Sequence, residues 1–188
     1  MPAKSDEDPR LRPFRFERRT PNPVMRADGV PEDAVSLLTS DRLYTVMIHD
    51  TNRGPWGRSA IPGPAGVALI LAECEPGRGP DLHAHRATDE IFTCLRGRFE
   101  IRWGDNGEHV VEIAPFDAIR VPPGVQRAFR NVSQETGMLQ VLITGGDNDA
   151  NDITFPPSVE AKLLAIGPGV PDALRRQGFG FDSDHEPR

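Results

Sequence analysis

The sequence predicts an all-β protein whose short strands form a sandwich or a barrel. From Val67 onward, short apolar or alternating segments are separated by turn residues at close spacing. The 188 residues include 19 prolines and 18 glycines, and only 6% are aromatic, a composition that indicates many turns and short strands. This length is sufficient for one domain with a sizeable core.

The pattern divides the chain into three parts. Residues 1–40 are rich in Pro, Arg and Asp and predict an irregular arm with one short helical turn near 31–38. Residues 41–148 hold the strand-like segments and predict the β-barrel. Residues 149–188 predict a helical tail that packs on the barrel or on a second subunit. Its two short helices, each opening near a proline, are expected at Pro157–Ile166 and Pro171–Gln177.

Within the middle part, the clearest strand is Arg98–Trp103, where odd positions are aromatic or aliphatic and even positions are charged. The Asn-Gly pair in Gly104–Gly107 predicts a hairpin turn, and His109–Ile113 is the expected return strand. Further strands are predicted at Leu43–Ile48 and Met138–Ile143, and Asn52–Gly66, dense in Gly and Pro, predicts a loop.

Two histidines and a glutamate form the most informative feature of the chain: His83, His85 and Glu90. In an extended segment, residues two apart point to the same side, so both imidazoles share one face. Two histidines and one carboxylate are the ligand set that holds non-haem iron and related divalent metals while leaving coordination positions open. We therefore predict a site for a divalent transition metal, with Fe(II) favoured and Mn, Ni or Zn as alternatives.

With its flanking glycines, this segment resembles the first motif of the cupin superfamily at every fixed position. The match reads Gly77-x5-His83-x-His85-x4-Glu90-x6-Gly97. The superfamily's second motif is matched in part, by Pro122, Gly124 and Asn131. Phe116 stands where the motif begins with glycine, and Arg127 stands where it has a histidine as fourth ligand.

The resemblance covers roughly residues 66–144 and implies a double-stranded β-helix, or jelly-roll, barrel with the site inside it. The full prediction is thus an all-β cupin barrel with an irregular N-terminal arm and short C-terminal helices. The fold alone implies no substrate, because the same barrel hosts many activities.

Arg127 is the position that sets this chain apart. It lies two residues from Val125 and two from Phe129, so all three side chains should share one face of the strand. Because Phe129 is large and apolar, we expect that face, and Arg127 with it, to point into the barrel. A guanidinium cannot ligate a metal, and at about 5 Å it would repel a divalent ion by roughly 6–7 kcal/mol at an effective dielectric constant near 20. Either Arg127 fixes a substrate carboxylate or phosphate beside a three-ligand metal, or the metal is lost and Arg127 pairs with Glu90, or its side chain faces solvent.

These residues predict a metal-dependent enzyme that acts on a small organic anion, with Arg127 as the catalytic-site group that orients the anion. A non-haem iron dioxygenase is one candidate, and an isomerase, decarboxylase or lyase would use the same ligands. The alternatives are a barrel that binds a small molecule or sugar without catalysis and without metal, and a metal-free catalyst with Glu90 or a histidine as general base.

The remaining expectations come from charge and composition. A net charge of −6 and a pI near 5.4 argue against nucleic-acid binding, and the basic run Arg10–Arg19 is read as a solvated arm. The N-terminus lacks the apolar stretch of a signal peptide and Val67–Ala72 is too short to span a bilayer, so no membrane partner and a cytoplasmic location are expected. Cys74 and Cys94 are predicted to be buried thiols, and a homodimer is expected.

Overall fold

The computed structural model describes residues 14–16, 21, 30–51, 59–146 and 150–185. Most of the predicted arm, the basic run except for residues 14–16, and residues 52–58 of the predicted loop lie outside the described residues. None of the helices in the described part of the chain has the length and apolarity needed to span a membrane.

Strands dominate the described residues, as the composition predicts. The helices are α1 (Glu32–Leu38), α2 (Pro157–Ile166) and α3 (Val170–Arg175). The strands are β1 (Arg42–Ile48), β2 (Ile61–Pro62), β3 (Val67–Cys74), β4 (Ala84–His85), β5 (Asp89–Arg96), β6 (Phe99–Trp103), β7 (His109–Ile113), β8 (Ala118–Val121), β9 (Arg127–Asn131), β10 (Gly137–Thr144), β11 (Ile153–Phe155) and β12 (Gly180–Phe181).

The strands form three sheets. The largest has the order β2-β1-β3-β10-β5-β8, and its central pairs β1–β3, β3–β10 and β10–β5 are antiparallel. A second sheet has the order β7-β6-β9, and a third has the order β12-β11-β4. Strands far apart in sequence are neighbours in these sheets, which is the pattern of a jelly roll rather than a simple meander.

The first hydrophobic core lies between the large sheet and the β7-β6-β9 sheet. Alternating residues of each strand point into it, because side chains along a strand alternate between its two faces. Phe92 of β5, Phe99 of β6 and Phe129 of β9 meet there edge to face, with the Phe92 and Phe129 ring centres 5.1 Å apart. Cys74 and Cys94 belong to this core as free thiols, as predicted.

A second core joins the two ends of the described chain. It contains Ala34 of α1, Val159 and Leu163 of α2, and Phe155 and Phe181 from the short third sheet. The C-terminal segment therefore contains the two predicted helices, but it also contributes strands. Through β11 it pairs with β4, so that Ile153 lies opposite His85, and this pairing brings the segment up to the predicted site.

Candidate metal site

Three side chains converge inside the barrel, and they are the predicted ligands. His83 and His85 flank Ala84 and both rings point to the same side, with Nε2 atoms 3.9 and 3.7 Å from Oε2 of Glu90. One ligand atom from each residue lies within 4.8 Å of the others. Within the described residues this is the one group of three or more such side chains that could hold an ion.

Strand pairing fixes each of these positions. His83 forms an antiparallel bridge with Arg127 of β9, and its backbone N–H donates to the Arg127 carbonyl at 2.9 Å. Glu90 lies in β5 between Ile143 of β10 and Val121 of β8. It shares its face with the core residue Phe92, so its carboxylate points inward and is only 5% exposed.

Each imidazole is held by its second ring nitrogen. Nδ1 of His83 donates to the backbone carbonyl of Asp81 at 2.9 Å, and Nδ1 of His85 donates to Oδ2 of Asp152 at 2.9 Å. A carbonyl or carboxylate oxygen can only accept, so the proton sits on Nδ1 and the Nε2 lone pair faces Glu90. Metal-binding histidines characteristically have such outer partners, which fix the tautomer and the ring orientation.

Asp152 is the site residue that sequence reasoning missed. It lies in a 3-10 turn, Ala150–Asp152, that directly precedes β11. Its carboxylate also accepts hydrogen bonds from the Ala87 N–H at 2.7 Å and the Thr88 hydroxyl at 2.5 Å. Burial would raise the pKa of Asp152, but the hydrogen bonds from His85, Thr88 and Ala87 outweigh it and lower the pKa, so the carboxylate is charged.

His83 is neutral at physiological pH. Burial disfavours the imidazolium and lowers its pKa to about 4, although the nearby Glu90 carboxylate partly opposes this shift. A ligand imidazole must be neutral to bind a metal, so the protonation state of His83 suits that role.

Arg127 lies inside the barrel, as its alternation with Phe129 predicts, and its side chain has no exposed surface. Its Nε is 3.4 Å from Oε2 of Glu90, and Nη2 donates to the Pro122 carbonyl at 3.4 Å. Oε2 of Glu90 and the Nε and Nη1 atoms of Arg127 are buried without a hydrogen-bond partner. Such unsatisfied buried atoms are uncommon, and an ion or water is a usual explanation for them.

The site forms one wall of a cavity that opens to solvent. Apart from His83, His85 and Glu90, the polar side chains of the wall are Thr39 and Ser40. Within the described residues, neither Arg nor Lys lines it. The rest of the wall is apolar: Leu38, Leu43, Ile70, Ala72, Pro80, Phe129, Val141, Ile143, Ile153, Phe155 and Phe179.

Three other polar residues lie away from the site. Gln126 is buried because its face is covered by the C-terminal segment, and it donates to Asp182 at 3.0 Å. His49 contacts Thr51 at 2.7 Å. His109 is exposed on β7 and stacks on Trp103.

The fold and the site define a β-barrel protein with a His-His-Glu cluster buried in its interior. Residues 70–144 match the family model of the cupin domain, so the prediction of a cupin barrel is confirmed for this part of the chain.

Solved structures that align with this chain include the cupin domain of Cnp3 from Schizosaccharomyces pombe, at 12% identity and a TM-score of 0.44 over 55% of this chain and 60% of that one. TT1209 from Thermus thermophilus aligns at 22% identity and a TM-score of 0.42 over 55% of this chain and 84% of that one. A protein described as a predicted oxalate decarboxylase from Thermotoga maritima aligns at 22% identity and a TM-score of 0.38, over 42% and 65%. The match thus spans less than two thirds of the Schizosaccharomyces and Thermotoga chains. No match was found among curated proteins.

Proposed function

We propose that this protein is a metal-dependent cupin enzyme acting on a small organic anion, with His83, His85 and Glu90 as the metal ligands. One observation carries the proposal: both Nδ1 atoms are occupied by oxygen acceptors, while both Nε2 atoms face a buried Glu90 oxygen that has no hydrogen-bond partner. Donor atoms arranged in this way fit a divalent ion, because each offers a free lone pair toward a common point.

A bound ion would supply Lewis acidity and a template for the substrate. The chain's own residues do the rest. Asp152 holds the His85 ring in its ligating orientation, the apolar wall restricts water, and Arg127 places a permanent positive charge beside Glu90. We infer Fe(II) as the favoured ion and a dioxygenase as the favoured reaction class, since two histidines and one carboxylate leave positions open for substrate and oxygen.

A second candidate is a barrel that binds a small molecule without metal or catalysis. The observation that favours it is the contact between Arg127 and Glu90, in which the arginine already supplies a positive partner for the carboxylate. The homodimer and the cytoplasmic location stay predictions under either function.

Metal content separates the two candidates. The wild-type chain and two variants, His83→Ala and His109→Ala, would be loaded with Fe(II) under anaerobic conditions, desalted and assayed for bound iron. We expect the wild type and His109→Ala, whose changed histidine is exposed and outside the site, to retain iron. His83→Ala should lose it.

Equal retention in all three proteins would remove His83 from the ligand set, and no retention in any of them would leave the metal-free alternative. For a chain that retains iron, oxygen consumption in the presence of aromatic and aliphatic carboxylic acids then tests the dioxygenase assignment.

A further inference from the structure

One end of the cavity is polar and the rest of its wall is mostly apolar. Its charged end is formed by His83, His85 and Glu90, and nearly all of the remaining wall is aliphatic or aromatic. We therefore expect a ligand that fills it to have a largely apolar body and one charged end, because away from the three-residue cluster only Thr39 and Ser40 could partner a further polar group. The hydroxyls of a sugar would meet the same penalty along most of the wall.

The charges around the site change sign when a divalent ion is added. In the buried cluster, Glu90 and Asp152 each carry −1 and Arg127 carries +1, so the sum without an ion is −1. Asp89 lies nearby but is balanced by Arg120, whose Nη2 is 2.5 Å from its carboxylate. Because the ligand imidazoles are neutral, a divalent ion brings the sum to +1.

Arg127 decides that sign. Without its charge, the cluster would be −2 when empty and neutral when loaded, so a loaded site would have no excess charge to attract an anion. Arg127 is fully buried, and in a medium of low dielectric constant its charge acts over several ångströms with little screening. It can therefore influence a ligand that it does not touch.

Resting on the metal-dependent function proposed above, we infer that the ligand is a monoanion with an apolar body, and that Arg127 makes the binding of metal and of this anion mutually dependent. The empty site repels the anion, and the loaded site attracts it. By thermodynamic linkage, the anion must raise the affinity for the metal by the same factor as the metal raises the affinity for the anion.

The test uses Mn(II), which resists oxidation by air, and three probes in calorimetric titrations. Cyclohexanecarboxylate has the inferred charge and body, cyclohexanecarboxamide has the body without the charge, and gluconate has the charge without the apolar body. Each probe is titrated into the wild type with and without Mn(II). The same titrations are made on Arg127→Met and on a control, Arg98→Met, which removes an exposed arginine outside the site.

We expect cyclohexanecarboxylate to bind the wild type and Arg98→Met only with Mn(II), and to bind more tightly than both other probes. Arg127→Met should bind Mn(II) alone more tightly, while the gain in carboxylate affinity given by Mn(II) falls on the order of tenfold. Equal binding of the amide or of gluconate, or an unchanged gain in Arg127→Met, would overturn the inference.

Mn(II) binding without any coupling to the carboxylate would refute this inference and leave the metal-dependent function standing. Absence of Mn(II) binding even with the carboxylate, together with no iron retention in the assay above, would refute both. Should Arg127→Met not fold, the comparison of the three probes on the wild type still decides the ligand class.

Discussion

The guanidinium of Arg127 and the carboxylate of Glu90 lie side by side in the barrel, with Nε 3.4 Å from Oε2. Oε2 is also the oxygen that both His83 and His85 face. Glu90 therefore stands between a permanent cation and the point where a metal would bind. The interaction of the carboxylate with Arg127 weakens its interaction with a metal, and the reverse also holds. The affinity of the site for a metal therefore depends on Arg127.

Replacing Arg127 by histidine should raise the affinity for Fe(II) or Mn(II) by at least about tenfold, or about 1.4 kcal/mol. The substitution removes the repulsion between the guanidinium and the ion and adds a neutral imidazole at the position where the cupin motif has its fourth ligand. Calorimetric titration of both proteins measures the change, with Arg98→His as the control for loss of a surface arginine. Equal or weaker binding by Arg127→His would mean that Arg127 does not oppose the metal.

Asp152→Asn should weaken metal binding by about 10- to 100-fold. The carboxylate accepts the Nδ1 proton of His85 and so fixes the ring with Nε2 toward Glu90, whereas a neutral amide is a weaker acceptor and can present its NH₂ group instead. Asp182→Asn is the matched control, since Asp182 bonds Gln126 and Thr154 but neither histidine. Equal metal affinity in the wild type and Asp152→Asn would show that His85 does not need this partner.

The contrast between Glu90 and Asp152 shows which part of the site a sequence can reveal. His83, His85 and Glu90 are close in the chain, so local spacing and strand alternation predict their common face. Asp152 is 67 positions from His85 and reaches it only because β11 pairs with β4. A strand of three residues is too short to show the alternation of apolar and polar residues. The sequence therefore predicts only helices in the C-terminal segment.

The same pairing explains Gln126. Alternation correctly separates its face from that of Arg127, but it does not reveal that the C-terminal segment covers the outer face. Both faces of β9 are therefore largely buried. The alternation of residues along a strand predicts which face a side chain lies on, but it does not predict whether that face is exposed to solvent.

Phe116→Gly should stabilise the protein by about 0.5–1 kcal/mol. Phe116 has a φ of 77°, a left-handed conformation that costs a residue with a Cβ atom about 1–2 kcal/mol, and its side chain is 87% exposed, so little burial is lost. The greater freedom of glycine in the unfolded chain offsets about 0.4–1 kcal/mol of the gain.

Phe116→Ala is the control, because it removes the ring and keeps the Cβ atom. Its free energy of unfolding in urea should stay near that of the wild type. If the glycine variant is no more stable than the alanine variant, the backbone at this position is not strained.

Protonation of Glu73 at acidic pH should lower the free energy of unfolding of the protein. Burial alone would raise the pKa of Glu73, but hydrogen bonds from Arg42 at 2.8 Å and Tyr44 at 2.9 Å, with the charges of Arg42 and Arg96, lower it overall. The unfolded carboxyl, with a pKa of about 4.3, takes up a proton before the folded one does. The stabilisation is therefore complete above that value and is lost as the pH falls through the lower pKa of the folded state.

Glu73→Gln removes this dependence. It should lower the free energy of unfolding at pH 7 by on the order of 1–2 kcal/mol, and the difference from the wild type should shrink as the pH is lowered past the pKa of the folded carboxyl. Urea unfolding from pH 7 down to the acid limit of the native state gives both curves. Glu112→Gln, which changes a carboxylate paired with Arg98 on an exposed surface, should cost much less because solvent screens that pair. Parallel curves for the wild type and Glu73→Gln across the acid range would show that the buried carboxylate contributes no pH-dependent stability.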